Sequence, residues 1–154
     1  MAKTKNPPAG YNSLTSYLIV KGAAEAIDFY KTAFNATEIM RMPQPDGRIG
    51  HAELRIGDSV LMLADEFPEA EAISPKTLGG TTVGLMIYVD DADSVFNKAI
   101  SMGAKVKKAM ADQFYGDRNG TLEDPWGHKW TISTHVEDVA PEEMERRMAA
   151  MAKK

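Results

Sequence analysis

Cysteine is absent from this chain of 154 residues, which excludes a disulfide framework, a thiolate metal site and a catalytic thiol. No apolar run approaches membrane-spanning length, and residues 1–12 lack the apolar core of a signal peptide. Lysine and arginine are scattered and the formal net charge is -4, so no basic footprint for a nucleic acid is present. We therefore expect a cytoplasmic protein that binds neither nucleic acid nor membrane.

The domain plan follows from where apolar residues are scarce. Residues 1–12 are rich in Lys, Asn, Pro and Gly, which bury little apolar surface, so we predict a flexible leader there. Hydrophobic residues make up 44% of the chain, enough for one core, which we place in a single domain over residues 13–138. Residues 139–154 are predicted to form a C-terminal helix, because Pro141 suits a first helical turn. One face of this helix carries methionines that either pack on their own domain or dock on a partner subunit: Met144, Met148 and Met151.

The first half of the domain reads as a strand, a helix and three strands, which we assign to module 1 over residues 13–66. Apolar residues alternate over residues 14–20 and then recur at helical spacing, and this helix is predicted to end at Asn35. Alternation returns in three stretches that are joined by turn-forming residues: 37–42, 50–56 and 60–64.

The same order repeats after an interruption. Pro68, Pro75 and the pair Gly79 and Gly80 break any periodicity, so residues 67–82 are predicted to be a linker. Residues 83–138 then form module 2, in which Asp90 and Asp91 are suitable N-caps for the second helix. Because Val20 aligns with Val89 and Met62 with Thr131 at one common offset, an internal duplication explains the repeat best.

The residue types near the end of module 2 predict a turn. Asp124, Pro125 and Gly127 stand at the positions that these residue types favour in a type I turn, so a hairpin corner is predicted there. Trp130 follows on the side of the last strand that faces the core. His128 is expected to hydrogen-bond the turn rather than to act in catalysis.

The duplicated unit and its turn Glu123-Asp124-Pro125-Trp126-Gly127-His128 resemble the glyoxalase, bleomycin-resistance and extradiol-dioxygenase superfamily, which has the vicinal oxygen chelate fold. Residues 17–20, 24–34, 112–118 and 134–138 resemble its PhnB-like branch. The resemblance implies an α+β fold in which two tandem βαβββ modules form a half-open mixed-sheet barrel, followed by the C-terminal helix. It also implies a homodimer, which the unpaired edge strands of small modules favour as well.

Metal-binding members of that superfamily take ligands from the first and fourth strands of each module. By resemblance those positions fall on Thr15, Met62, Gly84 and Thr131. A divalent metal needs three or four converging nitrogen or oxygen donors, which this set does not supply. We therefore expect no metal and no cofactor, and this departure argues against glyoxalase and dioxygenase chemistry.

The faces that carry these positions combine aromatic and polar residues, which suits a small organic ligand. His51 and Glu53 offer two metal donors or an acid–base pair, and the alternative is a solvated or ion-paired sheet surface with Arg55. Phe114 and Tyr115 form either a lid or a simple cover for the sheet end, and Arg118 would favour an anionic group. The predicted ligand-binding residues are Tyr17, His51, Glu53, Tyr88, Phe114, Tyr115 and Arg118.

Two functions are consistent with these residues. The first is a metal-free protein that sequesters an amphipathic small molecule in the manner of bleomycin-resistance proteins. The alternative is a metal-dependent lyase, isomerase or dioxygenase of the same superfamily, whose displaced ligands would come from His51, Glu53, Glu66 or His135. The absence of all four inherited donors favours the first, and whether the protein is an enzyme stays open.

Overall fold

The computed structural model describes residues 3–153, which separate between Thr81 and Thr82 into two compact units. Each unit contains one four-stranded mixed sheet with a helix packed on one face. We keep the names module 1 and module 2 for them. No helix within residues 3–153 is long and apolar enough to cross a membrane.

Module 1 has the predicted order of strand, helix and three strands. The first strand pairs in parallel with the fourth, the other neighbours are antiparallel, and the order across the sheet is β1-β4-β3-β2. The elements are β1 (Ser16–Val20), α1 (Ala23–Ala33), β2 (Thr37–Pro43), β3 (Ile49–Ile56) and β4 (Ser59–Asp65).

The ends of α1 are fixed by one buried carboxylate and one left-handed residue. Oδ1 of Asp65, in β4, accepts hydrogen bonds from the backbone N–H groups of Gly22 and Ala23 at 2.9 Å each. These are donors that a helix N-terminus leaves without intrahelical partners. Beyond the other end, Asn35 has φ 54°, the conformation that the sequence predicted there. The apolar face of α1 is fully buried at Ala26, Ile27 and Tyr30.

The linker contains regular structure that the sequence analysis did not predict. A 3-10 turn covers Pro68–Ala70, and a short helix, α2 (Pro75–Leu78), follows. Oγ of Ser74 accepts a hydrogen bond from the N–H of Thr77 and so caps α2. Glu66 holds the same turn, because its carboxylate accepts from the N–H of Ser74 at 2.7 Å and from the hydroxyl of Thr77 at 2.9 Å.

Module 2 repeats the plan and adds the C-terminal helix. Its sheet order is β5-β8-β7-β6, again with the first and fourth strands parallel. Asp91 caps the long helix that follows the first strand of module 2, because its side chain accepts a hydrogen bond from the N–H of Ser94, as the sequence predicted. The elements are β5 (Gly84–Tyr88), α3 (Ala92–Ser101), β6 (Lys105–Asp112), β7 (Asp117–Glu123), β8 (Lys129–His135) and α4 (Pro141–Met151). The α+β fold with two tandem βαβββ modules and a C-terminal helix is thereby confirmed.

The register of the two sheets supports the internal duplication. Tyr17 lies opposite Met62 in module 1, and Met86 lies opposite Thr131 in module 2, so the two parallel pairs have the same sequence separation. Met62 and Thr131 are the residues that align in the sequence repeat. The two halves therefore share their backbone pairing and differ in side chains.

The predicted hairpin corner joins β7 to β8. The carboxylate of Asp124 accepts hydrogen bonds from the N–H groups of Trp126 and His128 and from Nε1 of Trp130. Trp130 is buried against α3's side of the sheet with Leu122 and Ile132, as expected for a core residue. His128 belongs to the turn, because its carbonyl also accepts from the N–H of Asp124.

The C-terminal helix is anchored by Arg147. Its guanidinium donates to the carbonyl of Phe114 at 3.0 Å and forms an ion pair with Glu137 at 2.7 Å. The methionine face of α4 is not buried among the described residues, since Met148 and Met151 stay 54% and 57% exposed. Of the two alternatives stated for this face, packing on its own domain is not found at these two residues.

Candidate functional site

The face of each sheet opposite its helix carries the polar residues, and strand alternation explains why. In β3, Ala52 and Leu54 are fully buried, while His51 and Glu53 point to the opposite side. Register pairs place further residues on that side. We call this surface the helix-free face of module 1, formed by Tyr17, Met40, Met42, His51, Glu53 and Met62.

A chain of hydrogen bonds crosses the helix-free face of module 1. The hydroxyl of Tyr17 lies 2.8 Å from Nδ1 of His51, and Nε2 of His51 lies 3.0 Å from Oε1 of Glu53. The hydroxyl of Tyr11 donates to the other carboxylate oxygen, Oε2. The rings of Tyr17 and His51 also contact each other, with centroids 5.4 Å apart. Three of the predicted site residues, Tyr17, His51 and Glu53, are therefore brought together.

Methionines lie beside the residues of this network in the sheet. Met42 lies opposite His51, and Met62 lies between Tyr17 and Glu53 in the sheet. Tyr17 is 49% exposed and Met42 is 52% exposed. Methionine side chains are flexible and polarizable, so they can contact surfaces of different shape. The face thus offers apolar contact area around a fixed polar centre.

The end of the predicted leader is tied to β3. The guanidinium of Arg55 donates to the carbonyl of Gly10 at 3.3 Å from both terminal nitrogens, next to the bond between Tyr11 and Glu53. Residues 1–12 were predicted to be a flexible leader, and an ion-paired sheet surface with Arg55 was one alternative for His51 and Glu53. In the structure, Gly10 and Tyr11 contact β3, and Arg55 donates to the carbonyl of Gly10.

The electrostatics of the network keep Glu53 ionised. Hydrogen bonds from His51 and then from Tyr11 lower the pKa of the Glu53 carboxyl, although burial opposes this. Partial burial raises the pKa of the Tyr17 hydroxyl, and the negative charge of Glu53 adds to the effect. The hydrogen bond to Glu53 likewise raises the pKa of Tyr11. The face consequently presents one carboxylate and two neutral phenols at neutral pH.

Module 2 carries a second network on the face opposite α3. Asp117 is 4% exposed, and its Oδ2 accepts from the hydroxyls of Tyr88 at 3.0 Å and of Ser133 at 3.2 Å. Its Oδ1 lies 2.7 Å from Nδ1 of His135. Nε2 of His135 lies 2.8 Å from the exposed carboxylate of Asp138. Of these residues only Tyr88 was among the predicted ligand-binding set.

Hydrogen bonds decide the direction in which the pKa values of Asp117, His135 and Tyr88 are shifted. Burial alone would raise the pKa of Asp117, but hydrogen bonds from His135, Tyr88 and Ser133 outweigh burial and lower it. Hydrogen bonds to Asp138 and then to Asp117 raise the pKa of His135. The bond to Asp117 also raises the pKa of Tyr88. An ionised aspartate therefore orients a histidine that holds its proton more tightly than usual.

Phe114 and Tyr115 lie in the turn between β6 and β7. Their rings meet edge to face with centroids 5.2 Å apart, and the hydroxyl of Tyr115 accepts from Nδ2 of Asn119 at 2.9 Å. Arg147 of α4 binds the carbonyl of Phe114. These contacts hold both residues against module 2, and the choice between a lid and a cover for the sheet end stays a prediction.

Arg118 lies on the side of the sheet that faces α3. It is opposite Thr134, whose hydroxyl accepts from the N–H of Ala92 at the start of α3. Its guanidinium donates two hydrogen bonds to Asp93, at 2.6 and 2.8 Å, and one to Asp112 at 3.2 Å. Alternation directs the guanidinium away from the polar face of module 2, so Arg118 does not lie with Tyr88 on that face.

The inherited metal positions do not fit a divalent metal. Met62 offers only a thioether, Gly84 has no side chain, and the hydroxyl of Thr131 is hydrogen-bonded to that of Thr121 at 3.0 Å. Among residues 3–153 no group of three or more His, Asp or Glu side chains is arranged to hold a metal ion. Of the displaced donors considered from sequence, Glu66 is engaged in holding α2.

Tyr11 and Asp117 were not predicted from the sequence as site residues. Tyr11 lies in a segment whose composition predicts little structure, so no local signal marks it. Asp117 was detectable, because alternation back from Thr121 and Asn119 places it on the polar face of β7.

Comparison with known proteins agrees with this architecture. The family model described as Glyoxalase/Bleomycin resistance protein/Dioxygenase superfamily matches residues 10–132. An uncharacterized protein of Mycobacterium bovis is 41% identical over 141 residues, which cover 90% of this chain and 93% of that protein. Protein PA1353 from Pseudomonas aeruginosa has a similar structure, with a TM-score of 0.69 at 22% identity, over 82% of this chain and 99% of that one. The PhnB protein from Bacillus cereus is similar with a TM-score of 0.62 at 18% identity, over 80% and 99%. The chain therefore belongs to the glyoxalase, bleomycin-resistance and dioxygenase superfamily, and its structural relatives include a PhnB protein.

Proposed function

We propose that this protein binds a small organic molecule on the helix-free face of module 1 without the help of a metal ion. The observation that carries the proposal is a hydrogen-bonded chain with methionines beside it, formed by Tyr11, Glu53, His51 and Tyr17. A few polar groups fixed in place and surrounded by apolar contact area are typical of small-molecule sites.

The charge of the face indicates which ligands it favours. Glu53 is ionised, and Arg118, the cation expected at the site, is bound to Asp93 and Asp112 on the other side of its own sheet. A ligand with a flat or apolar body and a cationic or hydrogen-bond-donating group complements a carboxylate beside tyrosine and methionine side chains. This replaces the anionic ligand that Arg118 suggested.

Sequestration explains such a face more directly than metal-assisted catalysis does. His51 and Glu53 are only two donors, they bind each other, and their remaining hydrogen-bonding atoms are directed to tyrosines. A metal would have to displace both tyrosines and still find further ligands. The alternative enzyme therefore requires a rearrangement that the binding function does not.

We further propose that the protein acts as a cytoplasmic homodimer. The edge strands β1 and β5 carry apolar side chains that are at least 46% exposed, among them Tyr17, Met86 and Tyr88. A second copy of the chain would cover such strands, as closed symmetric dimers commonly do. Light scattering should then give about twice the chain mass of 16.9 kDa, whereas a mass near that of the single chain across micromolar concentrations would argue against a dimer.

The binding proposal is tested by a thermal-shift screen of aromatic amines and neutral and anionic aromatic compounds, followed by calorimetric titration of the best hit. Loss of a ring contact in Tyr17→Ala, or of the carboxylate charge in Glu53→Gln, should each weaken binding roughly tenfold. Arg118→Ala is the matched control and should bind with unchanged affinity. Metal analysis of the purified protein accompanies the titration.

Two results would contradict the proposal. If Tyr17→Ala and Glu53→Gln fold and bind the hit as the unaltered protein does, the network is a structural feature of the sheet. If one zinc or nickel per chain is retained and is lost in His51→Ala, the metal-dependent alternative is correct.

A further inference from the structure

The face of module 2 opposite α3 carries a histidine and a buried aspartate arranged for proton transfer. We propose that Asp117 and His135 form a proton-transfer pair, in which Nε2 of His135 accepts a proton from a neutral or cationic compound that carries a ring. This site lies in module 2 and does not depend on ligand binding to module 1.

Asp117 is held in one orientation by its hydrogen bonds. Tyr88 and Ser133 both donate to Oδ2, which directs Oδ1 to Nδ1 of His135 at 2.7 Å. The carboxylate is 4% exposed, so water does not compete freely for it. An ionised Oδ1 requires a proton on Nδ1, and in the neutral ring the basic lone pair must then lie on Nε2. The same logic orients the histidine in enzymes that pair it with a buried aspartate.

Nε2 of His135 is accessible. The side chain of His135 is 50% exposed, and the neighbour at Nε2 is the carboxylate of Asp138, whose side chain is fully exposed beyond the end of β8. This contact needs a proton on Nε2. When the imidazole is neutral, Nε2 no longer donates, and Asp138 turns to water at little cost because it is solvated already. The lone pair then faces solvent or a bound substrate.

The charges around the ring indicate the substrate class. Asp117 and Asp138 flank the imidazole from β7 and from the segment after β8, so a negatively charged substrate would be repelled from Nε2. Tyr88, from β5, contributes a neutral ring that is 63% exposed, and Met86 lies one pleat away on the same face, 46% exposed. These side chains provide a flat apolar surface for a ring. The site therefore suits neutral or cationic ring compounds.

The chemical step is a simple proton transfer. The bond between the substrate's acidic atom and its hydrogen breaks, its electron pair stays on the substrate, and the proton moves to Nε2. Asp117 remains ionised and stabilises the imidazolium through Nδ1–H, which is the role of the orienting carboxylate in such pairs. Tyr88 and Ser133 keep donating to Asp117 throughout. No oxidant, metal or further reactant is needed.

The test uses a neutral aromatic probe, 5-nitrobenzisoxazole, and the full-length protein. A base removes the hydrogen on carbon, the C–H electron pair forms the third bond of a nitrile, and the N–O bond breaks to give a coloured phenolate. The proton ends on Nε2 of His135. We expect the rate to rise with pH as His135 loses its proton, and to fall at least tenfold in His135→Ala.

Further variants separate proton transfer from a structural role. Asp117→Asn should lower the rate and move the midpoint of the pH–rate curve downward, because a carboxamide supports the imidazolium less well. Asp138→Ala should not lower the maximal rate at high pH, since Asp138 only covers Nε2. Asp46→Asn, a change at an exposed aspartate of module 1, is the matched carboxylate control and should leave the curve unchanged.

The proposal can also be tested without any variant, in the unaltered protein. In the unaltered protein, the titration of His135 followed by imidazole nitrogen NMR should have the same midpoint as the pH–rate curve. Two different midpoints would overturn the proposal, as would an unchanged rate in folded His135→Ala. If His135→Ala unfolds, His135→Gln is used instead, because the glutamine amide can still donate a hydrogen bond to Asp117. The reaction rate should fall at least tenfold in this variant as well.

Discussion

The carboxylate of Asp124 is predicted to be the most sensitive polar group in module 2. It is 2% exposed and accepts hydrogen bonds from the N–H of Trp126, the N–H of His128 and Nε1 of Trp130, at 3.0, 3.0 and 2.9 Å. The prediction is that Asp124→Ala destabilises module 2 strongly. The backbone pairing of the turn, between Asp124 and His128, survives the change and cannot replace the side chain.

The magnitude follows from which donors are buried. The N–H of His128 and Nε1 of Trp130 are both in buried bonds, and taking the acceptor from a buried donor costs about 1 to 3 kcal/mol. Two such donors give a loss of roughly 2 to 6 kcal/mol in the free energy of unfolding. Trp126 is partly buried and its N–H can turn to water. Because domains are stable by only about 5 to 15 kcal/mol, this loss is a large share of the total.

Urea unfolding followed by tryptophan fluorescence measures this directly. The chain has only two tryptophans, Trp126 and Trp130, and both lie at the turn, so the signal reports module 2. Asp124→Asn should fall between the unaltered protein and Asp124→Ala, because one acceptor oxygen remains. Asp112→Ala, at an exposed aspartate of module 2 that bonds Arg118, should unfold nearly as the unaltered protein does. A midpoint for Asp124→Ala equal to that of Asp112→Ala would refute the reasoning.

Two further predictions concern Gly116, in the turn before β7, and Asp117, the first residue of β7. Gly116→Ala should lower the free energy of unfolding far more than Gly47→Ala does in the matching turn of module 1. Both glycines have positive φ, at 97° and 88°, but only at Gly116 would an added Cβ lie 2.0 Å from the carbonyl oxygen of Glu137. The strain common to both is about 1 to 2 kcal/mol, and equal urea midpoints for the two variants would contradict the difference. Because the folded-state pKa of Asp117 is lowered, its stabilisation is present above the unfolded value of about 3.9 and is lost as pH falls through the folded value. Asp117→Asn should therefore flatten the acid limb of a stability–pH curve, and an unchanged acid limb would show that Asp117 does not carry it.

Most of the fold could be predicted because local patterns carry it. Alternation located the strands within a few residues, Asn35 marked the end of α1, and Asp91 marked the start of α3. The short helix α2 was not predicted, because its four residues are too few to show a period and its start depends on Ser74 and Glu66.

The candidate site could be predicted only where the alternation of side chains between the two faces of a strand was traced to the strand's last residue. Alternation correctly grouped Tyr17, His51 and Glu53, which lie in the interior of their strands. The same alternation puts Arg118 with Leu122 on the side that faces α3, yet the residue was assigned to the ligand-binding set. Tyr11 reaches Glu53 from far along the chain through one hydrogen bond, and no local pattern encodes such a contact.

The two modules show how one backbone plan can acquire different chemistry. Met62 and Thr131 occupy the same place in their sheets, and the residues opposite them on the antiparallel neighbours are Glu53 and Thr121. In module 1 the polar network is built beside this position, through Glu53 and His51. In module 2 the corresponding place holds two hydroxyls bound to each other, and the network moves to the end of β8, where Asp117 lies opposite His135.

The strand register therefore decides which residues lie next to one another on a face, but it does not decide which of those neighbouring positions carry polar side chains. Neither Met62 nor Thr131 carries a carboxylate or an imidazole, and each module places these groups at other positions of the same face. In both pairs the carboxylate is the more buried partner, but the histidines differ, because the side chain of His51 is 23% exposed whereas that of His135 is 50% exposed. This difference in the exposure of the histidine is the physical reason for expecting recognition in module 1 and proton transfer in module 2.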